Sequence, residues 1–232
     1  MASQSDLFLH EEIMLLALRD REGTIASGTH YQHAIGGAIL AELLLQGRIN
    51  VEQRKKKMFA RVVDSTPVSE PLIDDCLAKI VGAKKPAQLQ TWVSKFAGAK
   101  NLKSRVAGQL TRRGILRMDE DKVLGIITRK VYPEVNPLPE RKLIAALSDA
   151  IFSEGQEVDP RTVVLLSLAD SADLLKLVFD KKELKGRKKR IEQVINGELT
   201  GKATKEAIQA MQAAVMVACI MPAVFAATSA SR

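Results

Sequence analysis

The chain has 232 residues, a formal net charge of +8, 46% hydrophobic residues and 27% charged residues. These values are close to the averages of globular proteins and argue against a disordered chain. The length allows one large domain or two small ones, and the two cysteines exclude a scaffold held together by disulfides.

Helical periodicity dominates the chain from its first apolar residues onward. A first helix carries Leu9, Ile13 and Leu16, and we expect it to end before Gly23. Further helices are predicted over 31–46, 70–81, 86–96 (with Pro86 in its first turn), 101–113, 139–153, 160–178, 183–195 and 203–227. Short strands are predicted at 48–51, 57–63, 115–118 and 123–128.

Two segments share one order of elements. Residues 43–64 and 109–130 each read as a helix, a glycine, a strand, a polar turn and a second strand, which is the order of a winged helix. No linker rich in proline, glycine or serine separates two halves. We therefore predict one mainly α-helical domain over 7–228 with small β-hairpins, between short termini at 1–6 and 229–232.

The longest apolar run lies near the carboxyl end. Residues 213–227 are all apolar, but a membrane-spanning helix needs about 20 such residues and Pro222 interrupts the run. The run therefore predicts a helix buried at the centre of the domain. Residues 1–6 lack the basic start of a signal peptide, so we expect a cytoplasmic protein.

Basic residues are unevenly distributed. Residues 76–118 contain ten lysines and arginines and no acidic residue. Two further basic runs cover 54–61 and 176–190. Three such regions favour an anionic partner, either a nucleic acid or an anionic membrane surface.

Catalytic motifs are not apparent in the sequence. The histidines His10, His30 and His33 do not form a metal-ligand pattern, and no nucleotide-binding or nucleophile motif is present. We therefore expect no enzyme, no cofactor and no metal. Duplex-DNA binding remains an alternative, because a winged helix could use the basic segment 100–113, which includes Arg112 and Arg113. The low aromatic content, 4%, argues against a single-strand binding surface.

Four segments resemble the Golgi phosphoprotein family, whose members are peripheral membrane adaptors that bind phosphatidylinositol 4-phosphate. They are FLHEEIMLLALRDREG (8–23), AILAELLLQGRI (38–49), RKKKMFARVVDSTPVSEPLIDDCLAKI (54–80) and NLKSRVAGQLTRRGIL (101–116). The resemblance covers nearly the whole chain after residue 6. It implies an all-α core with β-hairpins and a location on the cytosolic face of a membrane, the Golgi in a eukaryotic cell.

The resemblance also implies a head-group site. The family's two basic pocket positions fall on Lys100 and Lys103, with Arg105 beside them. Its pocket arginine falls on Gly36, and its pocket tryptophan falls near Ser27 and Gly28. This half of the family pocket is therefore absent from the sequence, whereas clustered cations at a helix start still suit a phosphate.

Two further surfaces follow from the resemblance. The family's membrane-inserting hairpin maps to 119–128, where Val123, Leu124 and Ile126 are expected to contact lipid. Asp119, Glu120 and Asp121, which we expect at its turn, would oppose an anionic surface. The candidate acidic surface for basic cytoplasmic tails of membrane proteins consists of Glu11, Glu12, Asp20 and Glu22.

Overall fold

The computed structural model describes residues 7–123, 127–154 and 157–198, which form a single, mainly α-helical domain with two small antiparallel sheets. The helices are α1 (Leu9–Ala17), α2 (Tyr31–Leu45), α3 (Pro71–Val81), α4 (Leu89–Ala97), α5 (Leu102–Arg112), α6 (Leu138–Phe152), α7 (Pro160–Ser171), α8 (Leu175–Val178), α9 (Lys181–Gly186) and α10 (Lys188–Ile195). The strands are β1 (Ile49–Arg54), β2 (Lys57–Val62), β3 (Asp119–Val123) and β4 (Ile127–Val131).

Helix α2 is the centre of the described core. Every residue from Ala34 to Leu43 is buried, because the helix is apolar on all sides and is packed by α1, α3, α4 and α7. Gly36 allows a close approach between α2 and α4. A Cβ atom at this position would lie 2.5 Å from the Val93 carbonyl oxygen of α4, so no side chain fits there.

The predicted order of helix, glycine and hairpin is confirmed after α2; after α5 the glycine and a hairpin follow, but the strands are Asp119–Val123 and Ile127–Val131 rather than 115–118 and 123–128, so the predicted polar turn is strand β3. Gly47 after α2 and Gly114 after α5 have φ angles of +64° and +71°, which glycine adopts without strain. Strand β1 pairs with β2 in the register Ile49↔Val62, and β3 pairs with β4 in the register Asp119↔Val131.

The predicted strand at 115–118 is wrong, because β3 begins only at Asp119. Ile115 and Leu116 are buried in the core, and Leu116 forms only an isolated bridge with Glu134. The apolar character that suggested a strand is used for core packing.

Three helix boundaries also differ from the prediction. The segment 160–178 breaks after α7, where Asp173 adopts a left-handed φ of +61°, and 183–195 breaks between α9 and α10. Helix α4 begins at Leu89 rather than at 86, because the preceding residues pair with β2: the Ala60 N–H donates to the Ala87 carbonyl at 3.3 Å. Pro86 therefore precedes the helix.

The predicted buried helix at 203–227 lies outside the described residues. Within the described ranges, no helix is both long enough and apolar enough to cross a bilayer.

Candidate functional site

The first turn of α5 presents the two lysines that the sequence singled out. The chain enters α5 through Asn101, whose φ of +57° is left-handed and whose side chain makes no capping hydrogen bond. The Leu102 N–H donates to the Ala99 carbonyl at 3.2 Å, whereas the N–H groups that follow it in the first turn have no partner within the helix and can face an anion. Lys100 is exposed immediately before this turn.

Lys103 is held in a partly apolar setting. Its Nζ atom lies 5.5 Å from the centre of the Tyr132 ring, and the side chain is half-buried. Burial lowers the pKa of this lysine, and the positive charge of Arg129 lowers it further. Neither Lys100 nor Lys103 forms an ion pair with a carboxylate in the part of the chain that is described. An anion bound here would stabilise the charged form of Lys103.

Arg105 does not face the same way as Lys103. Its guanidinium forms an ion pair with Asp75 of α3 and donates to the Pro71 carbonyl at 3.3 Å. Two residues along a helix correspond to a rotation of about 200°, which separates the two side chains. The charge of Arg105 is therefore already compensated by Asp75.

Two acidic residues of the β3–β4 hairpin form ion pairs with nearby arginines. The cross-strand pair Asp121↔Arg129 forms an ion pair of 2.7 Å, and Arg117 pairs with Asp119 at 2.8 Å. Asp119 and Asp121 therefore lie in strand β3 rather than at the predicted turn, and both are neutralised by arginines. Of the apolar residues predicted to contact lipid, Val123 ends β3 with its side chain undescribed, and Leu124 and Ile126 lie outside the described residues.

The predicted acidic surface is wrong for two of its four residues. Glu11 is fully buried; it accepts hydrogen bonds from the Phe8 N–H at 2.9 Å and from Arg113 Nη1 at 2.7 Å. Glu12 is mostly buried and lies 3.4 Å from Arg161. Burial raises the pKa of both carboxyls, that of Glu12 to about 7. These two residues belong to the interior.

Arg161 and its partners join the buried Glu11 and Glu12 in a network of interior hydrogen bonds and ion pairs. Arg161 donates to Glu42 Oε1 at 2.8 Å, and the same oxygen accepts the Leu9 N–H at 2.8 Å. His10 is buried nearby, 3.8 Å from Glu70, and burial, with Arg161 and Arg113, lowers its pKa to about 3, so it is neutral. The network fastens α1 to α2, α5 and α7.

Asp20 and Glu22 are exposed, and Asp20 belongs to a second cluster. The carboxylate oxygens of Asp20, Glu134 and Glu140 lie within 4.8 Å of one another. Burial and the two neighbouring negative charges raise the pKa of Glu140 to about 8, so it retains a proton at neutral pH. This oxygen-rich group is the arrangement in the described residues that could hold a hard divalent cation.

The other half of the family pocket is not built from the positions to which it maps. Gly36 faces the backbone of α4 with no room for a side chain, and Ser27 and Gly28 are exposed and small. Of the positions to which the family pocket maps, only those at the start of α5 carry basic side chains.

Comparison with known proteins identifies the family of this chain. A model of the Golgi phosphoprotein 3 (GPP34) family matches residues 9–211. Vacuolar protein sorting-associated protein 74 of Eremothecium gossypii is 29% identical over 132 residues, a match that covers 49% of this chain and 40% of that relative. This chain thus matches less than half the length of that curated relative. Because the family model extends over most of the sequence, the chain belongs to the Golgi phosphoprotein 3 family.

Proposed function

We propose that this protein is a peripheral membrane adaptor that binds the phosphate of an anionic lipid head group, of the phosphatidylinositol 4-phosphate type, with Lys100 and Lys103. The observation that carries the proposal is the half-buried Lys103 ammonium over Tyr132, in the first turn of α5 and without a carboxylate partner among the described residues. Membership of the Golgi phosphoprotein 3 family supports a place on the cytosolic face of a membrane, the Golgi in a eukaryotic cell.

Charge supplies most of the binding energy in this proposal. A phosphate monoester carries a charge of about −1.5 to −2, which two lysines can match. Each basic residue near an anionic surface contributes about 1 kcal/mol. Arg105 contributes less, because Asp75 already neutralises it.

Apolar contact with the membrane is assigned to the apolar residues within 123–126. Val123, Leu124 and Ile126 are apolar, and full burial of one such side chain is worth about 1.5–3 kcal/mol. The ion pairs of Arg117 and Arg129 support this assignment, because they reduce the repulsion between the hairpin acids and an anionic surface.

A role in binding basic cytoplasmic tails is assigned only to Asp20 and Glu22, which are exposed. Duplex-DNA binding is less well supported, because Arg113 is committed to the buried Glu11. The remaining cations of α5 then form too small a set for a recognition helix.

Flotation of the wild-type protein with vesicles tests the function. One set of vesicles is phosphatidylcholine alone, and the second also contains phosphatidylinositol 4-phosphate. We expect flotation only with the second set, loss of flotation at high salt, and no effect of equimolar duplex DNA. Equal flotation with both sets, or release by DNA at constant salt, would contradict the proposal.

A further inference from the structure

A second cationic groove lies away from α5, between the β1–β2 hairpin and the segment that joins α3 to α4. It has a volume of about 500 Å³, within the usual range of small-molecule sites. Its lining includes Arg54, Arg61, Val62, Ile80, Lys85 and Trp92. The hydrogen bond from Ala60 of β2 to Ala87 holds its two sides together.

The basic residues that line the groove differ in whether they form an ion pair with a carboxylate. Arg54 donates to Glu52 at 2.8 Å and lies over the Phe59 ring, so its charge is already paired. Arg61 on β2 and Lys85 before α4 are exposed, and neither forms an ion pair with any residue that the structure describes. Glu52 also lines the groove and offsets Arg54, so the net charge of the lining is +2.

Trp92 provides a second, independent indication of a ligand. The residue is only 2% exposed, it lines the groove, and its indole Nε1–H has no acceptor among the described residues. Buried donors without an acceptor are rare in folded proteins because they are costly. A ligand that brings an oxygen atom to this position would satisfy the indole.

We propose that this groove binds a small organic phosphate, with its phosphate group between Arg61 and Lys85 and an oxygen accepting from the Trp92 indole. A phosphate monoester has nearly two negative charges at neutral pH, which match the two unpaired cations. A guanidinium can bind two phosphate oxygens at once. The apolar lining, which includes Val62, Ile80 and Pro86, receives the organic part of the ligand.

Trp92 is the sole tryptophan of the chain, so its fluorescence reports on the groove directly. The experiment titrates the full chain with phenyl phosphate and, separately, with inorganic phosphate. We expect a saturable change in emission and tighter binding of phenyl phosphate. Arg61→Gln and Lys85→Gln should each weaken binding about tenfold, the size of effect expected on losing one good charged contact. Lys84→Gln removes the neighbouring exposed charge, which lies outside the lining, and should bind as the wild type does.

Several results would overturn the proposal. They are no emission change with millimolar phenyl phosphate, equal affinity for inorganic phosphate, and unchanged affinity in Arg61→Gln and Lys85→Gln. A response to vesicles containing phosphatidylinositol 4-phosphate but not to phenyl phosphate would assign the groove to a lipid head group and also overturn it. Because both cations are exposed, their variants should unfold at the wild-type temperature, which circular dichroism checks.

Discussion

The ion pair between Arg113 and Glu11 gives the sharpest prediction about stability. Glu11 is fully buried, whereas the Arg113 side chain is 29% exposed. Arg113→Ala leaves the Glu11 carboxylate buried, with the Phe8 N–H as its remaining hydrogen-bond donor among the described residues. Breaking a buried pair from one side costs about 3–5 kcal/mol, and the partial exposure of Arg113 reduces our expectation to about 3 kcal/mol.

The assay is thermal unfolding at neutral pH. A loss of about 3 kcal/mol lowers the melting temperature of a domain of this size by about 6–12 °C. Arg112→Ala is the matched control, because Arg112 is exposed and its hydrogen bond among the described residues goes to Gln109 of its own helix. We expect its melting temperature to stay within about 2 °C of the wild type.

The effect also depends on pH with a defined sign. Burial raises the pKa of Glu11 above its ordinary 4.5, whereas the Phe8 N–H and Arg113 lower it. Without Arg113 the pKa rises further, so Glu11 takes up a proton earlier as the pH falls. The loss of stability caused by Arg113→Ala, relative to the wild type, should therefore become smaller as the pH falls from 7 towards 4.5. Equal melting temperatures for Arg113→Ala and Arg112→Ala at neutral pH would refute the reasoning.

Two other substitutions test the fold. The pKa of Glu140 is raised from 4.5 to about 8, so its burial destabilises the folded state increasingly as the pH rises from about 4.5 through 8. Glu140→Gln should stabilise by on the order of 3 kcal/mol at pH 8 and have little effect at pH 4, and a lower melting temperature at pH 8 would contradict this. Gly36→Ala should destabilise by about 1–3 kcal/mol, because its Cβ would lie 2.5 Å from the Val93 carbonyl. Gly108→Ala should instead stabilise the fold slightly, because a Cβ atom at this position of α5 would lie in open space. Denaturant unfolding compares the two glycine variants, and a change of stability in the same direction for both would contradict the reasoning.

Local signals predict much of the fold. The glycine after α2 and the glycine after α5 each end a helix before a hairpin, because a left-handed φ favours glycine at that position. Alternation and turn residues place β1 and β2 within two or three residues. The prediction of a strand at 115–118 is wrong because Ile115 and Leu116 are buried in the core without forming a strand. A short apolar run in the sequence does not distinguish a strand from another buried segment.

The interior charges could not be assigned from local sequence. The arginines that pair with Glu11 and Glu12 lie about a hundred residues or more further along the chain, at Arg113 and Arg161. Charged residues default to the surface when no partner is known. The available signal is the apolar stretch that follows Glu11 and Glu12, which makes α1 a helix buried on nearly all sides.

The site at α5 is likewise predictable from the sequence only in part. The residues Lys100 and Lys103 follow from the family resemblance, whereas the direction of Arg105 depends on Asp75 of another helix. The uncompensated charges of Arg61 and Lys85 become a groove only when the α3–α4 connection lies beside β2. Contacts between distant segments decide both features.

The central claim is that Lys100 and Lys103 hold the phosphate of a lipid head group. The most direct measurement compares the vesicle affinity of Lys100→Gln/Lys103→Gln with that of Lys182→Gln/Lys189→Gln, which removes the same charge from exposed positions on α9 and α10. With vesicles containing phosphatidylinositol 4-phosphate, the first variant should bind at least about tenfold more weakly than the wild type, from about 1 kcal/mol per lysine. The second should bind nearly as the wild type does. Equal losses in the two variants would contradict the account, because they would show that net charge rather than this site binds the membrane.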